Sequence, residues 1–278
     1  MILSVNKYFL ILLLFFSSNQ AQDFLETQFN AAYGLFEKKE YFDAITEFKR
    51  LLFFDEQSKY SYSGNLLIGK CYKGGAKLDD AIRYFSLAHK NSATPEQYYQ
   101  SQIEIIRCNI LRRTIPQALM LIDELTNNSR FAEKGNELIY WRGWAFIFND
   151  EWKTAAEEFN KIDSSHSLKI LCLQIDEQKY SAPWLKAVSV ILPGFGQIYT
   201  GNTLSGVLSL AWCGLWGYLS LNSFYAARVF DGLITTGLFF RFHRGNLQNV
   251  ENFVRKENQE ISDKALKFLQ EGYEGEKP

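Results

Sequence analysis

The chain has no block of like charge, no phosphate-cradling glycine loop, no G-x-S-x-G elbow and no cysteine set beside a histidine in a local catalytic pattern. Its 30 basic and 31 acidic residues nearly cancel, which removes the positive footprint that binding to phosphate backbones requires, so no nucleic-acid partner is expected. Only three histidines occur, His89, His166 and His243, at separations that match no metal-ligand spacing, and neither a metal nor another cofactor is expected. The neighbouring acids Asp79-Asp80 and Glu157-Glu158 fall on what reads as the solvated face of helices. These absences together point to a non-enzymatic chain.

What is present is periodicity. Ala44, Ala81, Ala118 and Ala155 lie 37 residues apart, and the columns around them recur. Four residues after each alanine stands a large apolar side chain (Phe48, Phe85, Ile122, Phe159), three before it another (Tyr41, Leu78, Ile115, Trp152), and ten before it a small one (Gly34, Cys71, Cys108, Ala145). Small columns let two helical backbones approach, while the bulky columns fill the space between successive pairs. Thr94, Pro95 and Gln97 spell a helix start: an N-cap, a proline in the first turn and an amide three residues after the cap. Cys71 and Cys108 occupy one column of adjacent repeats. Equivalent helices lie about 8–10 Å apart or more, beyond the roughly 7 Å Cα limit for a bridge, so these two are expected to be unpaired core residues, as are Cys172 and Cys213.

The columns resemble the tetratricopeptide repeat, a helix-turn-helix unit with an L-G-x2-Y segment followed by A-x3-F. Ile68, Gly69 and Tyr72 with Ala81, Phe85 and Ala88 match it best, and repeat three departs most, with Ile106 in place of the small glycine. The resemblance implies a scaffold whose first helices line a concave groove. The column that faces such a groove is Tyr33, Lys70, Arg107 and Trp144, joined by Tyr140, an aromatic surface with two cations suited to a protein or peptide partner.

The register fails beyond Ala155, and Leu168 to Tyr180 suits a helix that caps the array. Composition then shifts. Ser181-Ala182-Pro183 reads as a hinge, and Leu204 to Leu221 carries no charge over a length of about 27 Å as a helix, close to a bilayer core. A second apolar stretch, Phe224 to Phe240, follows after Asn222-Ser223 and contains Arg228 and Asp231, three apart and able to neutralise each other. Ser205, Ser209, Cys213 and Gly217 recur every fourth residue, the small-residue ridge of packed membrane helices. Between the hinge and the first apolar run stands Pro193-Gly194-Phe195-Gly196-Gln197-Ile198-Tyr199-Thr200-Gly201-Asn202. It resembles the P-G-x-G-Q-x-Y-x-G signature of bacterial TM-two-like membrane hairpins. Within it Pro193 stops a helix, Gly194, Gly196 and Gly201 free the backbone, Tyr199 suits the headgroup level and Thr203 is expected to cap the next helix; with no basic residue in the motif it reads first as a tight interfacial turn, and second as a cradle of glycine amides for a lipid phosphate.

At the N-terminus, Lys7, the apolar run Tyr8 to Phe16 and the small Ala21 read as an export signal, which would put the repeats in the periplasm. The sequence therefore predicts an all-α chain: a signal over residues 1–21, a four-repeat tetratricopeptide-type array with its capping helix over 22–180, a membrane-associated helical hairpin over 181–246 and an amphipathic helical tail over 247–278. The expected role is a membrane-tethered scaffold of the bacterial cell envelope that binds a protein partner. The alternative is a membrane module that binds lipid or assembles into a transport or secretion complex, with the repeats regulatory.

Overall fold

The structure, a computed structural model, describes residues 24–278, so the expected export signal lies outside the described residues. Every regular element among them is helical. A first helix, α1, covers residues 24–37, and α2 (Tyr41–Phe54), α3 (Ser61–Gly74), α4 (Leu78–Lys90), α5 (Pro95–Leu111), α6 (Ile115–Thr126), α7 (Gly135–Phe148) and α8 (Trp152–Ile162) continue the array as packed neighbouring pairs. The chain forms two compact units that divide at Ile170 and Leu171, inside α9 (Ser167–Gln178).

The first unit is built on the repeat columns. All four column alanines and the large residues four places on, Phe48, Phe85, Ile122 and Phe159, are fully buried. Gly69 and Gly143 are small because Phe85 and Phe159 lie against them: a Cβ would sit 2.6 Å from the Phe85 ring and 2.5 Å from the Phe159 ring. In repeat three the glycine-phenylalanine pairing is replaced by two buried isoleucines, Ile106 and Ile122, which restores the volume in another division. The start of α5 forms as read, with the Gln97 amide donating to Thr94 Oγ1 at 3.2 Å and the Ala93 amide donating to Gln97 Oε1 at 2.8 Å. All four cysteines are free and buried, and burial pushes the Cys71 and Cys108 thiols up to about 12.

A second 37-residue period appears in the turns. Lys39, Ala76, Arg113 and Asp150 each take a left-handed backbone, with φ of 62°, 56°, 59° and 67°. Each closes one helix with the same pair of hydrogen bonds. In repeat two the Ala76 amide donates to the Lys73 carbonyl and the Lys77 amide to the Tyr72 carbonyl, at 3.0 and 2.9 Å. This double bond pattern satisfies the last carbonyls of the first helix and turns the chain back along it.

The second unit holds α10 (Ala182–Ile191), the short α11 (Phe195–Tyr199), α12 (Thr203–Tyr225) and α13 (Val229–Gly272). Here the structure differs from expectation in four places. The hairpin turn lies at Ala226 to Arg228 rather than Asn222-Ser223: Ala227 is left-handed at φ 55°, and the Arg228 amide reaches back to the Ser223 carbonyl at 2.9 Å, so Asn222 and Ser223 remain helical. The apolar second stretch and the amphipathic tail form one continuous helix, α13, because no proline or cap interrupts them. The segment read as a hinge is fastened, since Asn258 of α13 accepts from the Tyr180 amide at 2.8 Å and donates to its carbonyl at 3.0 Å. Asn202, not Thr203, precedes α12, and its side chain makes no capping bond.

Two substitutions separate packing from propensity. Gly34→Ala places a Cβ in open space and gains up to about 1 kcal/mol of helix propensity, whereas Gly69→Ala drives a Cβ into the buried Phe85 ring and costs about 1–3 kcal/mol. Ala76→Gly relieves the left-handed strain and gains roughly 0.5–1 kcal/mol. Gly34 thus departs from the close approach expected of its column; chemical unfolding followed by tryptophan fluorescence reads the signs, and a neutral Gly69→Ala contradicts the packing of Phe85 on that glycine, while a loss for Gly34→Ala contradicts the open space beside Gly34.

Candidate functional site

The groove column emerges unevenly. Tyr33 on α1 is 42% exposed and stacks with Phe29, ring centroids 6.2 Å apart. Lys70 is half-buried on α3. Arg107 on α5 is engaged inside the protein: its Nη1 lies 3.1 Å from Glu104 Oε1, and Lys73 Nζ approaches the other oxygen of Glu104 at 3.1 Å. The guanidinium also lies 4.9 Å from the centre of the Trp141 ring. Burial lowers the Lys73 pKa against the pull of Glu104. Trp144 is buried, at 2% exposure, and Tyr140 packs edge-on against Trp141, Trp144 and Phe159. Of the residues assigned to the groove, Tyr33 and Lys70 are therefore the ones presented at the surface, while Arg107, Tyr140 and Trp144 take part in internal packing.

Glu104 was missed by the sequence reading. Its position three residues before Arg107 signals a helical ion pair, but its pairing with Lys73 crosses between helices, and nothing local encodes it.

The P-G-x-G-Q-x-Y-x-G motif is gathered into one buried knot. Gly194 is left-handed at φ 90° and packs backbone to backbone on α12, where a Cβ would fall 2.1 Å from the Gly206 carbonyl oxygen. A Cβ on Gly196 would meet Val250 of α13 at 2.7 Å. The motif glycines thus let α11 lie against α12 and α13 at distances no side chain permits. Asn246 of α13 ties the knot: its Oδ1 accepts from the Gly194 amide and from Gln197 Nε2, both at 2.8 Å, and its Nδ2 donates to the Ser189 carbonyl at 3.2 Å. Gln197 Nε2 also lies 3.2 Å from Ser209 Oγ, and the Gly196 amide donates to Ser189 Oγ at 2.9 Å. The Gly201 amide is taken by the Ile198 carbonyl at 3.0 Å, closing the same left-handed turn seen in the repeats. Tyr199 is exposed and packs edge-on against Trp184, with Phe195 stacked beside it. Pro193 stands in the bend between α10 and α11.

The glycine amides of Gly194, Gly196 and Gly201 are all committed to internal acceptors, which fits the tight turn and leaves no phosphate cradle.

Beside the knot, α12 presents a different surface. Its 23 residues form a helix long and apolar enough to cross a membrane, and 11% of its most apolar stretch is buried. Ser205, Ser209, Cys213 and Gly217 face inward, as the small-residue ridge requires, and Trp212 stacks on Phe242 of α13 at 5.4 Å. Leu204, Tyr218 and Leu221 point outward. Arg228 and Asp231 are paired at 3.7 Å, as their spacing predicts. Among the described residues no group of three His, Cys, Asp or Glu is placed to hold a metal ion.

No family model matches the chain, and neither a curated protein nor a solved structure matches it. The two resemblances therefore rest on the residues and their geometry alone.

Removing the Asn246 amide leaves the buried Gly194 amide without its acceptor and takes one partner from Gln197 Nε2, which keeps Ser209 Oγ and the Asn246 carbonyl. Asn246→Ala is expected to cost about 1–3 kcal/mol, while Gln248→Ala, on the exposed side of the same turn, stays within about 0.5 kcal/mol. Thermal unfolding of the full chain in detergent checks this, and equal melts for the two variants contradict the knot's structural role.

Proposed function

We propose that the protein is a membrane-tethered helical scaffold of a bacterial envelope, its repeats holding a protein partner near a lipid surface. The observation that carries the reading is α12: a charge-free helix of membrane-spanning length whose apolar side chains are left largely uncovered. A core helix of the same composition in a water-soluble protein would be buried, and an apolar surface of this extent marks a site that meets lipid or another protein. The hairpin it forms with α13 has satisfied backbone bonds through its turn, as a membrane requires. The tetratricopeptide-like columns support the scaffold half of the proposal, with Tyr33 and Lys70 the first residues to test for partner contact. The export signal expected at residues 1–21 supports a periplasmic position for the repeats.

The sequence carries no catalytic motif, which favours a non-enzymatic role. The alternative, a module whose principal business is lipid, is favoured by a specific cavity beside α12.

Extraction with alkaline carbonate tests the proposal. The full chain is expected to stay with the membrane pellet, because an outward apolar helix gains more from lipid than the paired Arg228 and Asp231 cost. Charged substitutions at the outward positions Val207, Leu215 and Leu221 together are expected to shift the protein toward the supernatant. Release of the unmodified chain by carbonate would show that α12 covers a protein surface instead.

A further inference from the structure

A cavity of about 500 Å³ opens between the first turns of α12 and the middle of α13, a size suited to a small ligand or part of a larger one. Its polar lining includes Arg241, Ser205 and Asn249, and its apolar wall includes Leu208, Trp212 and Phe242. The polar groups differ from those of the neighbouring knot in one respect. Asn246 and Ser209 spend their hydrogen bonds on Gln197, whereas Arg241, Ser205 and Asn249 make no side-chain hydrogen bond or ion pair among the described residues. From Ser181 to Val250 the one acidic residue is Asp231, and Arg228 holds it. The Arg241 guanidinium therefore stands uncompensated in a cavity that offers two further uncommitted donors.

An unpaired cation with spare donors selects an anion, and a guanidinium fork fits the oxygens of a phosphate. The start of α12 adds the positive end of a long helix dipole to the same place. The apolar wall selects further. Leu208 and Trp212 belong both to the cavity and to the uncovered face of α12, so a ligand seated here has its charged part at Arg241 and a continuous apolar surface leading away from it. A free phosphate would leave that wall wet. An amphiphile with an anionic phosphate head and acyl chains uses both halves.

We infer that this cavity is a binding site for the phosphate headgroup of an anionic phospholipid, with Arg241 as its cation, Ser205 and Asn249 as supporting donors, and the acyl chains lying along α12. The inference deepens the membrane reading and rests on it. It assigns the lipid contact to side chains of α12 and α13 rather than to the glycine motif, whose amides are already occupied. Arg244, exposed on the same helix but outside the cavity, serves as the matched control for general attraction between positive charge and an anionic surface.

The test uses the full chain in vesicles of phosphatidylcholine with a minor fraction of phosphatidylglycerol. Bromine, which quenches tryptophan on contact, is carried either by the phosphatidylglycerol or by an equal amount of the phosphatidylcholine. The emission of Trp212 is isolated by difference from a Trp212→Phe variant of each protein. Brominated phosphatidylglycerol is expected to quench Trp212 about fivefold more effectively than brominated phosphatidylcholine, the preference one basic residue confers near a surface. Arg241→Gln abolishes that preference, while Arg244→Gln keeps it. A preference that survives in Arg241→Gln, or falls equally in Arg244→Gln, overturns the site. Equal quenching by both lipids in the unmodified chain also overturns it but leaves the membrane reading standing. No quenching by either lipid defeats both. Loss of the preference on adding millimolar inorganic phosphate at constant ionic strength would assign the cavity to a free anion and overturn the lipid assignment. Circular dichroism of Arg241→Gln, expected unchanged because the side chain is exposed, confirms that the variant is folded.

Discussion

Folding this chain depends on reversing direction after each helix without leaving carbonyl groups unpaired. One left-handed residue does this at the close of the first helix in every repeat, and the following amide reaches back over five residues to the helix just ended. The closure is the same after the first helix of each repeat, so it recurs with the 37-residue period of the alanine column. Gly201 and Ala227 make the same closure in the second unit. A single backbone device thus shapes both the repeat array and the apolar hairpin.

What differs between the units is the treatment of side chains. In the repeats the bulky residues point inward, so that Phe48, Phe85 and Phe159 are fully buried. In the hairpin Cys213 is buried at the contact beside the stacked Trp212, Trp216 and Phe242, while large residues such as Leu204 and Leu221 are uncovered. Uncovered apolar side chains of this kind are what the proposed lipid contact requires. The Asn246 knot complements it. A buried amide with its bonds satisfied fixes how α10, α11 and α13 meet, a specificity that apolar contacts alone supply poorly.

The parts legible in the sequence were those written as spacing. The alanine column, the Thr94 cap, the unpaired cysteines, the inward ridge from Ser205 to Gly217 and the Arg228–Asp231 pair each depend on residues close in sequence or on a strict period. The hairpin turn was misplaced because Asn222-Ser223 carries turn-forming residue types, whereas the turn that forms uses Ala227, which has no such signature. The left-handed positions of the repeats escaped notice for the same reason: Lys39, Ala76, Arg113 and Asp150 share a period but no chemistry. Glu104 and Asn246 were missed because their partners lie on other helices, Lys73 in one case and Gly194 and Gln197 in the other. A helical period assigns a column to one face, but exposure depends on packing by neighbouring helices, and Trp144 is buried.

The central claim is that α12 meets lipid along its outward face. Spin labels placed one at a time from Leu210 to Leu221, in a chain whose native cysteines are alanine, test it by relaxation in liposomes. The account predicts that dissolved oxygen outcompetes a water-soluble nickel complex at the outward positions, with accessibility to both falling at 213, 217 and 220 in a helical period. Nickel access exceeding oxygen access along the outward face would contradict it, and α12 would then be a helix of a water-exposed domain.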